Sequence, residues 1–226
     1  MNTVFFDLDG TLTDPKEGIT RCIQYALNAL DAPVPETDEL LWCIGPPLRA
    51  SFETLLGDEA RAQDAVTLYR DRFTDTGLYE NDLYTGIPET LQALRDAGKR
   101  LFVATSKPHV YANRIVEHFG VDGHFERVFG SELDGTRVDK TELLAYGLAE
   151  TGADSKDTVM IGDREHDMIG AANNGLFSIG VLYGYGTREE LHSAGARRLA
   201  EAPDGISEIV LRRWPSASLR RSNSTS

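Results

Sequence analysis

The sequence predicts an α/β fold: a doubly wound, mostly parallel sheet with an α-helical cap inserted after its first strand. Three observations carry this. Short apolar runs that stop abruptly at Asp, Ser or Gly recur along the chain, and helical patterns separate them. One stretch of about 70 residues, from Pro15 to Tyr84, holds helical patterns and no convincing strand. Strands that alternate with helices make a parallel sheet covered on both faces.

The first run, Thr3-Val4-Phe5-Phe6, joins β-branched and aromatic residues and is cut off by Asp7-Leu8-Asp9-Gly10, which reads as a buried strand. Arg100 to Ala104 stops at Thr105-Ser106-Lys107-Pro108, Arg127 to Gly130 at Ser131-Glu132, and Thr158 to Ile161 at Gly162-Asp163. Phe177 to Leu182 is a fifth strand, and Gly184-Tyr185-Gly186 reads as the loop after it. Ile87 to Ala97 carries Ile87, Leu91 and Leu94 at helical spacing and meets a stop at Gly98. Tyr111 to Phe119, Lys140 to Glu150 and the shorter His166 to Ala172 are the other helices of this part. Within the insertion, Thr20–Leu30, Leu40–Leu56 and Ala60–Phe73 are helical, the second interrupted by Gly45-Pro46-Pro47. The expected division is a core of residues 1–14 and 85–212, a cap of 15–84, and a Ser- and Arg-rich tail of 213–226 expected to be disordered.

Composition narrows the function. With 41% hydrophobic and 26% charged residues the chain is ordinary globular material, not a disordered polymer. Its net charge of −13 repels polyphosphate and anionic membrane, so neither a nucleic acid polymer nor a membrane is an expected partner. Two cysteines, Cys22 and Cys43, make neither a disulfide framework nor a zinc site, and a cytoplasmic location follows as the simplest expectation. No apolar run approaches the roughly 18 residues of a membrane span.

In an open parallel sheet, ligands bind beyond the carboxyl ends of the strands. Those ends offer Asp7, Asp9, Thr105, Ser106, Asp163 and, a turn later, Asp167, while Lys140 opens a helix after the third strand. Carboxylates gathered in one crevice repel one another unless a cation compensates them. An all-oxygen donor set without Cys or His suits Mg²⁺, which commonly bridges to a substrate phosphate. Lys140 and the Thr105 hydroxyl then supply donors for phosphate oxygens, and free N–H groups at Gly10 and Ser106 would add to the cradle. Asp7 becomes a plausible nucleophile toward phosphorus, and Asp9 an acid and base for the leaving group and for water. His166 reads as a helix-face residue rather than a metal ligand.

Asp7-Leu8-Asp9-Gly10-Thr11-Leu12-Thr13-Asp14 resembles the first motif of the haloacid dehalogenase-like hydrolase superfamily, Thr105 its second, Lys140 its third, and Gly162-Asp163-Arg164-Glu165-His166-Asp167 its fourth. The four occur in the family's order and frame nearly the whole chain. The helical insertion is similar to the type-one cap of the phosphoglycolate phosphatase-like branch. The resemblance implies Asp7 as nucleophile and metal ligand, Asp9 as acid/base and as a ligand through its backbone carbonyl, and Thr105 and Lys140 on the phosphoryl group. It also implies Asp163 and Asp167 as metal ligands. The presence of Asp9 disfavours dehalogenation, because the haloalkanoate dehalogenases lack that second aspartate.

The expected activity is therefore Mg²⁺-dependent hydrolysis of a small phosphorylated metabolite, phosphoglycolate or a nucleoside 5′-monophosphate, by a monomer or homodimer. A phosphomutase of the same branch and a non-catalytic phosphometabolite-binding protein are the alternatives. The cap should set specificity. Lys16, Arg21 and Arg49 are candidates to meet a second anionic group, and Trp42, Ile44 or Phe52 to pack on a larger one such as a nucleobase.

Overall fold

Strand β1 (Thr3–Phe6) runs through the middle of a six-stranded parallel sheet, with every residue buried. The computed structural model describes residues 1–212, and the expected disordered tail at 213–226 lies outside them. The sheet is completed by β4 (Arg100–Pro108), β5 (Arg127–Ser131), β6 (Thr158–Gly162), β7 (Phe177–Val181) and β8 (Arg198–Ala200), in the order β5-β4-β1-β6-β7-β8. Side chains alternate across it. Phe5 clusters with Phe102, Phe129 and Met160 on one face; Val4, Phe6, Val103 and Ile161 belong to the larger cluster on the other. Six helices accompany the sheet: α4 (Ile87–Asp96), α5 (His109–His118), α6 (Lys140–Thr151), α7 (Glu165–Asn173), α8 (Arg188–Ser193) and α9 (Pro203–Arg212). The expected α/β class, with its doubly wound parallel sheet, is what the chain forms.

The chain winds first to one side of β1 and then to the other. β1 pairs β4 on one edge and β6 on the other, with Phe6 opposite Val103 and Ile161. This reversal of strand order opens a crevice at the carboxyl end of β1, and Asp7 stands at its mouth.

Between β1 and α4 come α1 (Lys16–Ala29), a 3₁₀ segment at Thr37–Cys43, α2 (Leu48–Leu56), α3 (Glu59–Arg72) and a π-turn at Phe73–Gly77. Helix α1 buries Ile19, Cys22, Ile23, Ala26 and Leu27 at helical spacing, and α3 buries Ala62, Ala65, Val66 and Tyr69. The small alanines let the two helices approach closely. Phe52 fills the remaining space edge-on to Tyr69, which in turn stacks on Phe73. Both cysteines are free thiols buried in this region.

The structure departs from the sequence reading in three places. A two-stranded antiparallel ribbon, β2 (Thr13–Asp14) with β3 (Asp82–Leu83), joins the beginning and end of the helical stretch, which was expected to hold no strand. Two residues per strand are too short to show an alternating pattern. Strand β8 and helix α9 extend the sheet side past the last expected strand; α9 is amphipathic, with Ile206 and Val210 buried. Strand β4 runs to Pro108 rather than stopping at Ala104, with an irregularity between Thr105 and Pro108. That irregularity lies at the carboxyl end of the strand, where it changes which way the side chains point. Among the described residues no helix is long and apolar enough to cross a membrane.

Candidate active site

Asp7 is held in the crevice by its neighbours in the sheet: its N–H donates to the Ile161 carbonyl at 2.8 Å, so the site begins where β1 and β6 diverge. The Asp7 Oδ1 accepts from Leu8 N–H at 2.8 Å and lies 3.1 Å from Lys140 Nζ. Lys140, the first residue of α6, is buried, and its Nζ also lies 2.8 Å from Asp167 Oδ1 and donates to the Ala104 carbonyl at 3.0 Å. Asp163 follows β6; its Oδ2 accepts from Tyr185 N–H at 2.8 Å and its Oδ1 from the Thr11 hydroxyl at 3.4 Å. Asp167, in the first turn of α7, accepts from Arg164 N–H at 3.2 Å. Three segments far apart in sequence, at residues 7, 140 and 163–167, thus meet at one point.

Oxygens of Asp7, Asp163 and Asp167 all lie within 4.8 Å of one another, and all three residues are buried. Burial pushes the Asp163 carboxyl well above the usual carboxylate range, with the charges of Asp167 and Asp7 adding to it. Burial likewise lifts Asp167, to about 6, against the pull of Lys140. At Lys140 burial opposes the charged form, yet Asp167 and Asp7 hold its pKa above the ordinary lysine value. Three carboxyl groups share one ammonium in a buried pocket, and their ionised forms outnumber it. A hard dication bound by oxygen ligands balances that excess, so the residues present fit Mg²⁺. His166 is not in this group.

Asp9 faces elsewhere. Its carboxylate is gripped by Lys107 Nζ, at 2.8 Å from Oδ1 and 2.6 Å from Oδ2. Burial raises the Asp9 carboxyl, and Lys107 is the main opposing influence. The ammonium of Lys107 also sits 4.9 Å from the centre of the Phe73 ring, so it connects Asp9 to the helical insertion. The sequence reading missed Lys107. The only sign of it was its place in Thr105-Ser106-Lys107-Pro108, at the end of an apolar run.

The remaining expected residues divide. Thr105 is buried beside Asp7 and Asp9 on a cavity of about 430 Å³. Ser106 lines the same cavity, but its hydroxyl donates to the Val138 carbonyl at 2.9 Å. Gly10 does not offer its N–H to a ligand, because that group donates to the Thr13 carbonyl at 2.8 Å. Glycine stands there for two other reasons: its φ is +77°, and a Cβ would fall 2.1 Å from Asp163 Oδ2. Tyr185 N–H, in the loop after β7, makes the contact to Asp163 that makes this loop part of the site.

Arg49 lines the cavity, yet its guanidinium is paired with Glu53 and Glu59. Lys16 is not in the cavity at all. It pairs with Asp38 at 2.8 Å and lines a separate groove with Trp42, Tyr84 and Tyr185. Arg21 pairs with Glu17 and Glu80. Ile44 and Phe52 are fully buried, so neither presents a face to a ligand. The insertion instead lends the cavity Ile19, Pro46, Pro47, Leu48, Tyr69 and Phe73.

The family model for haloacid dehalogenase-like hydrolases matches residues 4–181, which include most of β1, the helical insertion and every site carboxylate. The chain belongs to the haloacid dehalogenase-like hydrolase family. It is 52% identical over 191 residues to a 5′-nucleotidase of Pseudomonas aeruginosa, covering 84% of this chain and 86% of that one. It is 44% identical over 184 residues to the tyrosine-protein kinase PtkA of Mycobacterium tuberculosis, covering 81% of this chain but only 62% of that protein. A crystal structure of a predicted phosphatase from Clostridium acetobutylicum superposes with a TM-score of 0.90 at 44% identity, covering 93% of this chain and 98% of that one. The expected class of phosphoric monoester hydrolase is the one that the names of the Pseudomonas and Clostridium relatives support.

Proposed function

We propose that this chain hydrolyses a nucleoside 5′-monophosphate through a phosphorylated Asp7, with Mg²⁺ as cofactor. The observation that carries the reading is the buried meeting of Asp7, Asp163, Asp167 and Lys140 beside a cavity walled by apolar and aromatic side chains. Asp7, Asp163 and Asp167 would hold the metal, which when bound supplies positive charge for phosphoryl oxygens.

The chain's own groups do the rest. Lys140 and the Leu8 N–H fix Oδ1 of Asp7, which leaves Oδ2 to attack phosphorus. The P–O bond to the leaving group breaks as the O–P bond to Asp7 forms, and Asp9 gives the departing oxygen a proton. Asp9 then takes a proton from water as that water attacks the phosphorylated Asp7, which releases phosphate and restores both carboxyl groups. Resting Asp9 is a carboxylate paired with Lys107; an incoming phosphate dianion competes for the same ammonium, and Asp9, whose carboxyl burial raises, then takes up from solvent the proton that it gives to the leaving oxygen. Thr105 donates a hydroxyl to the phosphoryl group. The helical insertion keeps water from the phosphorylated aspartate while the leaving group departs.

The cavity favours a nucleoside over phosphoglycolate. A two-carbon acid needs a cation beyond the phosphate; Arg49 is paired with Glu53 and Glu59, and Arg70, which keeps its charge, is directed by its bond to the Leu133 carbonyl. Glu53, Glu132 and Asp134 also line the cavity and offer acceptors that suit ribose hydroxyls and base amino groups. A volume of about 430 Å³ falls in the range of small-molecule sites, roughly 300–1,000 Å³.

Phosphate release from adenosine 5′-monophosphate and from phosphoglycolate, with Mg²⁺ and in excess chelator, tests the reading. Release from the nucleotide should dominate, stop in chelator, and fall by at least about 1,000-fold in Asp7→Asn with the fold intact by circular dichroism. A positional isomer of a sugar phosphate as product, instead of free phosphate, would place the chain among mutases.

A further inference from the structure

We propose that Arg164 is a positioning residue for substrate capture: its guanidinium fixes the loop at Ile44–Pro47 of the insertion against the core and so sets the leaving-group wall of the cavity. The inference rests on the proposed phosphatase reading of that cavity.

Arg164 lies between two site carboxylates in sequence, and its backbone is bound to one of them through the N–H contact to Asp167 at 3.2 Å. Its side chain leaves the metal side and crosses to the insertion. There Nη1 donates to the carbonyl of Ile44, while Nε donates to Glu190 Oε1 at 2.9 Å. Glu190 is anchored in turn, since the same oxygen accepts from Glu165 N–H at 2.9 Å. The guanidinium is therefore aimed from behind by a fixed carboxylate and in front meets a single acceptor.

The loop it meets is built to receive it. Gly45 has φ +102°, and a Cβ at that position would come within 2.8 Å of Arg164 Cγ. Glycine is thus required both by the left-handed backbone and by the arginine stem packed on it. Pro46 and Pro47 follow, without N–H groups of their own and with φ restricted, so the position of Ile44 and Gly45 is passed on stiffly to Leu48. Gly45, Pro46, Pro47 and Leu48 all line the cavity that contains Asp7, Asp9 and Thr105. Arg70 to the Leu133 carbonyl and Arg114 to the Thr74 carbonyl, both 2.8 Å, hold the insertion on the opposite side. Loss of Arg164 would then free this loop and leave the insertion attached.

A planar fork is what the arrangement needs, because its two donors point to Glu190 and Ile44 at once. Lysine keeps the charge beside Glu190 but not the second directed bond. The test compares wild type, Arg164→Lys and Arg164→Met on adenosine 5′-monophosphate, with hydrogen exchange followed over residues 41–51. Both variants should raise KM by about tenfold while kcat stays within about threefold, lysine less than methionine, and exchange in 41–51 should quicken. An unchanged KM, or a fall in kcat alone, would overturn the inference and make Arg164 an accessory of the Asp163–Asp167 carboxylates. Wild type that turns over no phosphomonoester strikes the phosphatase reading instead, and normal turnover with unmoved exchange strikes this inference alone. Should Arg164→Met fail to fold, Arg164→Lys retains the Glu190 pair and decides the question.

Discussion

The sheet and the helical insertion treat charge in opposite ways. On the sheet side, Asp7, Asp163 and Asp167 are buried together with only Lys140 among them, and the imbalance is left for a ligand to complete. On the helical side every cation that the sequence offered as a substrate contact already has a partner: Lys16 with Asp38, Arg21 with Glu80, Arg49 with Glu53 and Glu59. That side reaches the cavity mostly with shape, from Ile19, Pro46, Pro47, Leu48, Tyr69 and Phe73, and with the charged Arg49, Glu53 and Arg70. Chemistry is thus placed on rigid strand ends, and selection on a surface held together by its own small core.

Breaking the sheet-side balance should have the largest effect. Lys140→Met removes the one ammonium and leaves buried carboxylates facing one another. Removing one partner from a buried pair costs about 3–5 kcal/mol, so thermal unfolding in metal-free buffer should drop sharply and turnover should vanish. Mg²⁺ should then raise the melting temperature of Lys140→Met more than that of wild type, because the dication replaces part of the lost charge. An equal response to Mg²⁺ in the two proteins would show that Lys140 and the metal do not share the same carboxylates.

The contrast also explains what could be read from the sequence. Asp7, Asp163 and Lys140 were legible because buried charge is expensive and has few remedies, so acidic residues at several strand ends already imply a cation. The parallel sheet was legible for a similar reason: Phe5, Val103 and Ile161 sit in runs too apolar for anything but a covered strand. Lys16 and Arg49 were harder to read because a surface cation looks the same whether it faces a ligand or a carboxylate; the structure pairs Lys16 with Asp38 and Arg49, on the cavity, with Glu53 four residues on. Lys107 was missed because its partner Asp9 lies 98 residues away, and a pairing between two strand ends leaves no periodic trace. The ribbon of β2 with β3 and the edge strand β8 have two or three residues per strand, below the length at which alternation can be seen.

A change confined to the insertion's core should separate the two regions. Phe52→Ala empties a fully buried site packed edge-on to Tyr69, which leans on Phe73 at the cavity. Such truncations cost about 3–5 kcal/mol. The loss should appear in hydrogen exchange as faster opening of α1, α2 and α3, with β1, β4 and β6 little changed, and KM should rise more than kcat falls. Equal loss of protection in the sheet would mean that insertion and sheet unfold as one unit, and the division of labour drawn above would then be one of chemistry only.

The smallest effect concerns a charge cluster on the insertion that touches neither substrate nor metal. Glu80 accepts from Arg72 at 2.7 and 3.0 Å and from Arg21 at 2.9 Å, and the hydrogen bonds from Arg72 hold its carboxyl below the ordinary value of 4.5. A carboxyl with a lowered folded-state pKa contributes stability that is fully present above its unfolded value and is lost as pH falls through the folded one. Glu80→Gln should therefore lower the melting temperature at pH 7 by only a few degrees, since the cluster is partly solvated. The gap to wild type should close as the pH drops below 4.5. Turnover at pH 7 should be unaffected at a temperature well under the transition. A gap that persists unchanged into acid would show that the substitution disturbs packing around Cys22 and Arg72 instead of removing a charge, for Arg72 Nη1 also lies 3.1 Å from the Cys22 sulfur.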